Sequence, residues 1–346
     1  MKNSMNKILF SLIVAVLLPL SSFGQYVRGD VNGSRTVDIA DVTALISKVL
    51  SSGGAYIQVC DVNYDGAVNI ADVTELIHYV LSGVWITPDY TGPSIPENAE
   101  IYTVNGVSFA MLPVEGGTFM MGYGDTEYAY PGSHASHQVT LSSFKIGVTE
   151  VTQELWLAVM GTNPSPDQSD VSLLPVCSVS WHDCKNFIDC LNELTGLNFN
   201  FPTDAQWEFA ARGGTLSQGY LFAGSDNIDE VAWWADENAT SWTWHPAFVG
   251  LKKANELGLY DMSGNVSEWC YDDDWIVNNS NVAPMIDPVY ERAYVPNETL
   301  RRRIMRGGSR YDEDAFGWEF CTVYSRDRVR VYDNHKLFGL RLAIWP

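Results

Sequence analysis

The sequence predicts two folded parts: a small all-α module built around a repeated acidic loop, and a large α+β domain. An acidic motif occurs twice near the N-terminus, at 30–41 and 61–72, and each copy runs into an apolar, helical pattern. A segment rich in proline and glycine follows, after which tryptophans and glycine-containing turns become frequent and helical patterns become rare. We therefore divide the chain into a leader at 1–24, the small module at 25–84, a linker at 85–101 and the large domain at 102–346.

The leader has the pattern of a secretory signal. Lys2 and Lys7 give a basic start, the residues from Ile8 to Leu20 are apolar, and small residues precede Gln25. The apolar run is too short for a comfortable membrane span, no cysteine directly follows it that would take a lipid, and no later segment reaches membrane length. We expect an exported protein without a membrane span, periplasmic, cell-surface or secreted in a bacterium.

Both acidic motifs place oxygen-bearing side chains at loop positions 1, 3, 5, 9 and 12, which is the pattern of a twelve-residue calcium loop. Position 7 donates a backbone carbonyl, so its side chain is not restricted. The predicted ligands are Asp30, Asn32, Ser34, Thr36, Asp38 and Asp41 in loop 1, and Asp61, Asn63, Asp65, Ala67, Asn69 and Asp72 in loop 2. Position 6, where the loop turns sharply, is Gly66 in loop 2 but Arg35 in loop 1, so loop 1 should bind calcium more weakly. The alternative is a pair of solvated turns.

Two such loops, each followed by a short helix, resemble a type I dockerin module over residues 25–84. The resemblance implies a protein partner, either a cohesin-like module or another domain of the same chain. Loop positions 10 and 11, which often carry polar partner contacts in dockerins, are here Ile39-Ala40 and Ile70-Ala71. These apolar pairs offer a second interpretation, in which the start of each helix packs on the rest of this chain.

Charge and cysteine content restrict the function. The formal net charge is −21 at pH 7, and such a chain repels nucleic acid and anionic lipid, so we expect no nucleic-acid partner. The six cysteines are an even number, which favours disulfides in an exported protein. Cys184 and Cys190 point to different faces of a helical pattern and should not pair with each other. The sequence leaves the pairing of Cys60, Cys177, Cys184 and Cys190 open.

Three helices of the large domain carry clear start and stop signals. Thr152 can cap a helix from Gln153 to Met160, with Gly161 at its end, and Ser180 can cap a second helix that runs to about Leu194. The third helix follows Pro202. Thr203 and Gln206, three residues later, form the pattern of a capping box, and Gly213 suits the C-terminal turn.

Six segments in order resemble the formylglycine-generating enzyme (sulfatase-modifying factor) family across the whole large domain. They lie at 115–122, 149–153, 201–214, 258–269, 306–309 and 339–342. The resemblance implies a C-type-lectin-like fold in its large, insertion-rich form.

The family's oxidases convert a sulfatase cysteine to formylglycine with copper and oxygen, and this chemistry needs a pair of thiolates as soft ligands for Cu(I). At the family's spacing after Arg306-Gly307-Gly308-Ser309, these positions hold Asp312 and Gly317. The only cysteine between Ser309 and Gly339 is Cys321. We therefore assign no catalytic residue, do not expect copper, and interpret the domain as non-catalytic.

The resemblance also implies a structural calcium site and a disulfide. The positions that match the family's calcium site are Asp261, Gly264, Val266 and Glu268, although a turn held by hydrogen bonds from Asn265 and Glu268 is the alternative. The family's fold places the segments of Cys270 and Cys321 in one central region, which implies a disulfide between them.

A ligand surface is predicted in the segments 310–319 and 324–335, which are dense in tyrosine, tryptophan, arginine and aspartate. Tyr311, Trp318, Arg328 and Tyr332 are the predicted contacts, because such side chains are enriched at binding hot spots. The region forms the substrate groove in the resembled oxidases. The charges are mixed, so we expect a protein or glycan ligand; the alternative is a solvated loop whose charges pair with each other.

The leading interpretation is an exported, calcium-binding protein with a dockerin-like assembly module and a non-catalytic domain that binds a ligand. One alternative is a sulfatase-modifying oxidase with an altered site. Another is a purely structural component of a polysaccharide-degrading complex.

Overall fold

The computed structural model describes residues 27–51, 60–64, 68–87, 89–124, 135–166, 171–234, 246–274, 283–293, 297–309 and 317–346. The predicted secretory signal, the loop 2 residues Asp65 to Ala67, and the predicted contact Tyr311 lie outside these residues. Within them, no helix has both the length and the apolar character needed to cross a membrane.

Two helices form the small module, α1 (Ile39–Ser51) and α2 (Ile70–Ser82). Asn69 caps α2 through its side chain, and Asp72 completes a capping box by accepting the Asn69 N–H, so two otherwise unsatisfied amides are paired. Gly83 ends α2 in the left-handed conformation. The final aspartate of each acidic motif thus belongs to the first turn of the following helix.

The large domain is a mixed α and β structure, as predicted. Its elements in chain order are β1 (Glu100–Val104), β2 (Val107–Val114), β3 (Gly117–Met121), β4 (His137–Leu141), β5 (Phe144–Gly147), α3 (Gln153–Met160), α4 (Trp181–Thr195), β6 (Phe199–Asn200), α5 (Asp204–Ala211), α6 (Ile228–Val231), β7 (Ser267–Asp273), β8 (Met285–Ile286), β9 (Arg302–Arg306), α7 (Gly317–Phe320), β10 (Arg326–Arg330), β11 (Phe338–Gly339) and β12 (Ala343–Ile344). The predicted bounds and caps of α3, α4 and α5 are confirmed, including the capping box of Thr203 and Gln206.

The described strands form three sheets, ordered β1-β2-β5-β12-β6, β10-β9-β7-β11 and β3-β4-β8. Most neighbouring strands are antiparallel, but β11 pairs with β7 and β8 pairs with β4 in parallel. The short strand β12, near the C-terminus, lies between β5 and β6, so the end of the chain is needed to complete the first sheet. The chain also begins its first strand at Glu100, inside the segment predicted as a linker.

Two hydrophobic clusters fill the large domain. One packs α5 against the strands around Val139, Ile146 and Ile304, and the other packs α3 and α4 against β2, β6 and β7. In the second cluster Trp156 and Phe187 stack with ring centroids 4.7 Å apart. The large apolar side chains of the predicted helices therefore supply the interior on which the sheets rest.

A third cluster joins the small module to the large domain. It contains the inward-facing residues Val42, Leu45, Val73 and Leu76 of the two helices, together with Trp233, Ala247 and Leu251 of the large domain. The two parts therefore bury apolar surface against each other, which fixes the module on the large domain.

The segment between the two parts contacts the large domain at several points; we call residues 85–87 and 89–99 the strap. The Tyr90 hydroxyl donates to the Val249 carbonyl (2.7 Å), and the Tyr260 hydroxyl donates to the Ser94 carbonyl (3.1 Å). At Gly250 an added Cβ would lie 2.4 Å from the Cβ of Pro93. A glycine of the large domain thus leaves the space that Pro93 of the strap occupies.

Arg28 holds the module end of the strap. Its guanidinium lies over the rings of Tyr64 (4.7 Å) and Trp85 (4.2 Å) and donates to the Thr87 carbonyl at 2.7 Å. The Glu75 carboxylate accepts from the same guanidinium (3.3 Å) and from the Thr87 N–H (2.9 Å). A buried ion pair with these hydrogen bonds therefore connects α2, the start of the module and the strap.

The predicted disulfide between Cys270 and Cys321 does not form, and none of the six cysteines, all of them in described residues, forms a disulfide bond. Cys270 lies on β7 in the cluster around α5, whereas Cys321 packs with Phe222 and Val231 in a separate cluster. The two segments are neighbours, as the resemblance implied, but their thiols lie in different clusters.

Two buried carboxyl groups make the stability of the large domain depend on pH. Burial raises the pKa of Asp272 to about 7 and that of Asp261 to about 6. An unfolded aspartate has a pKa of about 3.9, so the folded state binds more protons than the unfolded state between about pH 4 and pH 7. Stability contributed by these groups is therefore present at low pH and is lost as pH rises towards 7.

We expect the free energy of unfolding to increase by on the order of 2 kcal/mol between pH 8 and pH 5, mainly through Asp272. Urea unfolding of the full chain in a calcium chelator measures this dependence. Asp272→Asn should flatten it, whatever its effect on absolute stability. An unchanged slope in this variant would show that Asp272 titrates normally.

Gly250→Ala should release the strap. Gly250 has φ of 75°, so alanine costs about 1 kcal/mol in backbone strain, and the contact with Pro93 should add about 1–3 kcal/mol. Gly219→Ala is the matched control, because Gly219 has φ of 79° but no atom within 4 Å of an added Cβ. Equal destabilisation of the two variants in urea would contradict a tightly packed strap.

Candidate ligand-binding site

A cavity of about 240 Å³ opens where β9 ends and β10 begins. Polar lining residues include Ser309, Ser325, Arg326 and His335, and apolar ones include Phe338. The cavity therefore combines hydroxyl, guanidinium and aromatic groups at one end of the sheet β10-β9-β7-β11.

A turn at two glycines places Ser309 in the wall of this cavity. Gly307 and Gly308 follow β9 with φ of 89° and 67°, a region that residues with a Cβ rarely adopt. A Cβ at Gly308 would also lie 2.8 Å from the backbone of Phe320. Two glycines are thus needed for the turn that places Ser309 beside the start of β10. The Ser309 residue there is only 3 % exposed.

Buried ion pairs form the floor of the cavity. The Arg306 guanidinium donates to Asp204 (2.5 Å) and to Glu208 (3.0 Å), and Arg326 donates to the other oxygen of Asp204 (2.7 Å). Burial lowers the pKa of Arg306, but the two carboxylates outweigh this and hold it above its usual value. Both arginines reach the cavity from neighbouring strands, and α5 supplies the acids that pair with them.

The Ser325 side chain is only 1 % exposed, and its hydroxyl has no hydrogen-bond partner in the structure. Its backbone carbonyl accepts a hydrogen bond from Arg306 (3.0 Å), which fixes the residue in place. A buried hydroxyl without a partner is unfavourable, so its position in a cavity wall is a sign of ligand binding.

The predicted ligand contacts do not assemble around this cavity. Trp318 lies on α7 with its ring edge-on to Phe222, Arg328 lies within β10, and Tyr332 is exposed with its ring 4.4 Å from that of His182. None of these three described residues lines the cavity. The predicted segment 324–335 contributes Ser325, Arg326 and His335 to the cavity wall, but none of the three described residues that were predicted as contacts.

The chain's two cysteines nearest to the oxidase positions lie away from the cavity wall. Asp312 lies outside the described residues, and Gly317 begins α7. Cys321 is buried on the side of α7 that packs against Phe222, and Cys270 is buried in the core, where burial raises its thiol pKa well above the usual value. In the described part of the chain, the cavity wall contains no cysteine.

The two carboxyl groups of the predicted calcium site in the large domain, Asp261 and Glu268, are both buried. Both oxygens of Glu268 have protein partners, since Arg341 donates to one at 2.7 Å and Trp207 donates to the other at 2.6 Å. Asp261 uses one oxygen to accept the Gly250 N–H (2.6 Å), and its other oxygen is buried without a partner. Glu268 is thus paired with an arginine, whereas Asp261 keeps one oxygen without a protein partner, and the calcium site stays a prediction.

The two other positions of that predicted site, Gly264 and Val266, lie in the intervening turn. The Gly264 N–H donates to the Gly307 carbonyl at 2.7 Å, which connects the turn to the end of β9. The Val266 N–H donates to Glu150 at 3.1 Å, and the Asn265 side chain donates to the same carboxylate. These hydrogen bonds hold the turn, as the alternative expects, but they use N–H groups and not the carbonyl oxygens that a calcium site would need.

Loop 1 of the small module closes around its own carboxylates. Asp30 accepts the N–H groups of Ser34 (2.8 Å) and Arg35 (2.7 Å), and Asp41 accepts the Asn32 N–H (3.0 Å). Arg35, at loop position 6, has φ of 68°, in the left-handed region that favours glycine. Loop 1 thus makes the sharp turn at position 6 although arginine, unlike glycine, is disfavoured in that backbone conformation.

Two further hydrogen bonds involve predicted ligands of loop 1: the Ser34 hydroxyl donates to the Thr36 carbonyl at 3.0 Å, and Asp38 accepts the Ala40 N–H at 2.7 Å. In loop 2, Asp72 accepts the N–H groups of Asn63 (3.2 Å) and Asn69 (2.8 Å), as Asp41 accepts those of Asn32 and Asp38 in loop 1.

Asp61 and Asn63 are described, whereas Asp65 and Ala67 are not. Among described residues, no group of three acidic, histidine or cysteine side chains is arranged to hold a metal. The donors of loop 1 also include amide, hydroxyl and carbonyl oxygens, and these fit calcium, which takes oxygen ligands of several kinds.

Each helix of the small module leaves one apolar face exposed. Face 1 consists of Ile39, Thr43, Ile46 and Leu50, and face 2 consists of Ile70, Thr74, Ile77 and Leu81. Ile39 and Ile70 are 66 % and 70 % exposed, and Leu50 and Leu81 are 81 % and 83 % exposed, so the faces are equivalent. The interpretation that the apolar residues at the helix starts pack on the rest of the chain is therefore wrong for Ile39 and Ile70.

Comparison with known proteins matches this chain to two families. Residues 103–345 match the family described as the sulfatase-modifying factor enzyme 1-like domain, and residues 28–81 match the dockerin type I domain. Both matches agree with the resemblances stated from the sequence.

Several curated proteins are similar to the large domain. Chaperone protein LppX of Paenibacillus barcinonensis is 37 % identical over 213 residues, which cover 48 % of this chain and 72 % of LppX. The formylglycine-generating enzyme of Thermomonospora curvata is 31 % identical over 172 residues, 44 % of this chain and 52 % of the enzyme. An inactive formylglycine-generating enzyme 2 of Bos taurus is 31 % identical over 101 residues, 28 % of this chain and 32 % of that protein. The chain thus spans only part of these relatives.

The fold has solved counterparts. Treponema denticola variable protein 1 is 27 % identical, with a TM-score of 0.59 over 73 % of this chain and all of that chain. PvdO from Pseudomonas aeruginosa, at 21 % identity, shares the fold with a TM-score of 0.55 over 73 % of this chain and all of that chain. Because the family match covers most of the sequence, the chain belongs to the sulfatase-modifying factor enzyme 1-like family, and it carries a dockerin type I domain before that region.

Proposed function

We propose that this protein is an exported, calcium-binding assembly protein. Its dockerin domain binds a cohesin-like partner, and its large domain binds a protein or glycan ligand without oxidase chemistry. The observation that carries the proposal is the pair of equivalent exposed faces on α1 and α2, which present isoleucine and leucine to solvent. Exposed apolar faces of this kind are typical of protein interaction sites.

The spacing of each face supports this role. Positions 39, 43, 46 and 50, and likewise 70, 74, 77 and 81, recur at the helical period and therefore lie on one side of each helix. The opposite sides, with Val42 and Leu45 or Val73 and Leu76, are buried in the core shared with the large domain. The large domain thus occupies one side of the module and leaves both faces accessible to a partner.

Calcium would rigidify these faces. The ligands proposed for it are the oxygens of loop 1 and loop 2, and the last ligand of each loop, Asp41 or Asp72, is also part of the first helical turn. Binding of calcium to the folded loops would stabilise the helix starts by mass action. The proposed export, from the sequence of the leader, would place the module where calcium is plentiful.

The large domain is proposed to bind without oxidising. Its cavity wall lacks thiols in the described residues, and the positions matching the oxidase cysteines are Asp312 and Gly317. The similarity to an inactive relative is compatible with this role. The competing function, an oxidase with an altered site, draws support from the similarity to active formylglycine-generating enzymes.

Either face alone should be sufficient for capture of the partner, so capture is lost only when both faces are changed. We expect substitution of Ile46 and Leu50 by aspartate to weaken binding about twofold, because face 2 remains, and the same holds for Ile77 and Leu81. Changing all four residues should weaken binding by about a hundredfold or more, since hot-spot contacts are lost on both sides.

The experiment is a pull-down of a cohesin module by the full chain, with calcium and with a chelator. Leu197→Asp is the matched control, because Leu197 is an exposed leucine on the large domain. Undiminished capture by the variant with four substitutions would exclude these faces as the binding surface.

Loop 1 should bind calcium more tightly when Arg35 is replaced by glycine. The left-handed backbone at Arg35 costs about 1–2 kcal/mol, of which the greater unfolded-state freedom of glycine cancels about half. We expect a gain of about 0.5–1 kcal/mol in module stability and a measurable rise in calcium affinity by calorimetric titration. Arg35→Gln removes the same charge but keeps the Cβ, so an equal gain in that variant would assign the effect to charge.

No turnover is expected with copper, oxygen and a sulfatase-type cysteine peptide. A single candidate thiol after β9, Cys321, does not supply the thiolate pair that Cu(I) requires. Mass spectrometry of the peptide follows the loss of its thiol. Conversion at a catalytic rate, abolished by Cys321→Ser, would instead support the oxidase function.

A further inference from the structure

The cavity at the start of β10 contains a hydrogen-bonding group that the folded protein does not use. The Ser325 hydroxyl is buried and has no partner, although the Ser325 carbonyl accepts from Arg306 and the Ser325 N–H donates to the Thr322 carbonyl (3.1 Å). A buried hydroxyl without a partner has lost its hydrogen bonds to water, and a ligand oxygen would restore one of them. Because a hydroxyl both donates and accepts, it suits a ligand group that does the same.

The charged groups beneath the cavity are paired with one another. Arg306 donates to Asp204 and to Glu208, and Arg326 donates to the other oxygen of Asp204. A floor of this kind does not select for an ionic ligand, because each of these charges already has a counter-charge within the protein. The cavity therefore fits a neutral ligand.

Main-chain groups of the cavity wall are also paired within the protein. Besides the two bonds at the Ser325 backbone, the Ser267 N–H donates to the Leu337 carbonyl (2.9 Å), and the Phe338 N–H donates to the His335 carbonyl (2.9 Å). Extended peptides are commonly recognised through main-chain hydrogen bonds, as when they add a strand to a sheet. These parts of the wall offer a ligand side chains instead of main-chain partners, which argues against a peptide.

The side chains of the wall suit a ring that carries several hydroxyl groups. Ser267 and Ser309 add their hydroxyls to that of Ser325. Asp327 is exposed at the rim, where its carboxylate can accept from ligand hydroxyls. The Phe338 ring gives the wall an apolar surface for the C–H groups of such a ring. A sugar combines these two kinds of surface in one small, neutral molecule.

The size of the cavity limits the length of the ligand that it holds. Sites for drug-sized molecules enclose about 300–1,000 Å³, and this cavity encloses about 240 Å³. One pyranose ring would fill it, so the remainder of a longer glycan would lie outside.

We propose that this cavity binds one neutral sugar residue of a glycan. The inference rests on the proposed binding function of the large domain and specifies the ligand of that domain. The Ser325 hydroxyl hydrogen-bonds to one hydroxyl of the sugar, and the Asp327 carboxylate accepts from another. The Phe338 ring covers the apolar side of the pyranose.

Neutral probes of similar size test the class of ligand on the full chain in calcium. The methyl glycosides of glucose, galactose, mannose and N-acetylglucosamine are compared with N-acetylserine methylamide, a capped amino-acid residue that also carries a hydroxyl, by ligand-detected NMR titration. We expect at least one glycoside to bind with a dissociation constant of about 1–10 mM, since so small a ligand gains little binding free energy, and the capped serine to bind about fivefold more weakly or less. Methyl glucuronide, which adds a carboxylate, should bind no more tightly than the methyl glucoside.

Ser325→Ala tests the site itself. The variant should weaken binding of the preferred glycoside about fivefold or more, while its melting temperature stays equal to or above that of the parent, because an unsatisfied buried hydroxyl has been removed. Asp327→Asn keeps an acceptor oxygen but removes the charge, so it should weaken binding about threefold. Ser217→Ala is the control and should bind as the parent does, because Ser217 is exposed and lies outside the cavity wall.

The inference is overturned if no glycoside binds, if Ser325→Ala binds as the parent does, or if the glucuronide binds more tightly than every neutral glycoside. Preferential binding of the capped serine, lost in Ser325→Ala, would also overturn it and would indicate a peptide ligand. That last result would leave the proposed binding function of the large domain intact and remove only its glycan specificity. None of these results affects capture of a cohesin module by the two helical faces.

Discussion

The shared core of the small module and the large domain is the constraint on which the arrangement of this protein depends. Domains of about 60 residues bury too little surface to be more than marginally stable alone. Here Trp233, Ala247 and Leu251 of the large domain complete the cluster formed by α1 and α2. Since apolar burial is not directional, the strap supplies the specificity: Tyr90 bonds Val249, and Pro93 fits only against a glycine. The module is thereby held as part of the large domain.

This arrangement places the two proposed binding sites on separate surfaces. On the module, one side of each helix is buried in the shared core. Face 1 and face 2 are exposed on the other side and are available to a partner. On the large domain, Arg306 and Arg326 are held in place by Asp204, which lies on a helix with its own capping box. Rigid support of this kind keeps cavity groups in position before a ligand arrives, which lowers the entropic cost of binding.

Local sequence signals made the helices predictable. The cavity and the positions of the cysteines depend on long-range contacts and could not be predicted. The caps Thr152, Ser180 and Thr203 are read from neighbouring residues, so α3, α4 and α5 were placed correctly. The cavity depends on Ser309 and Ser325 approaching through a double-glycine turn, and serine carries no sequence signal for ligand binding. Cys270 and Cys321 were expected to pair because their segments are neighbours, but which cluster each thiol enters is decided by packing that no local pattern records.

Differential scanning calorimetry of the full chain, with calcium and with a chelator, tests the shared core most directly. If the core joins the two parts as described, they unfold together in one cooperative transition, and calcium raises the temperature of that transition as a whole. Two transitions, of which calcium shifts only the smaller, would contradict this account, because the module would then fold and bind calcium independently of the domain that supplies Trp233 and Ala247 to its core.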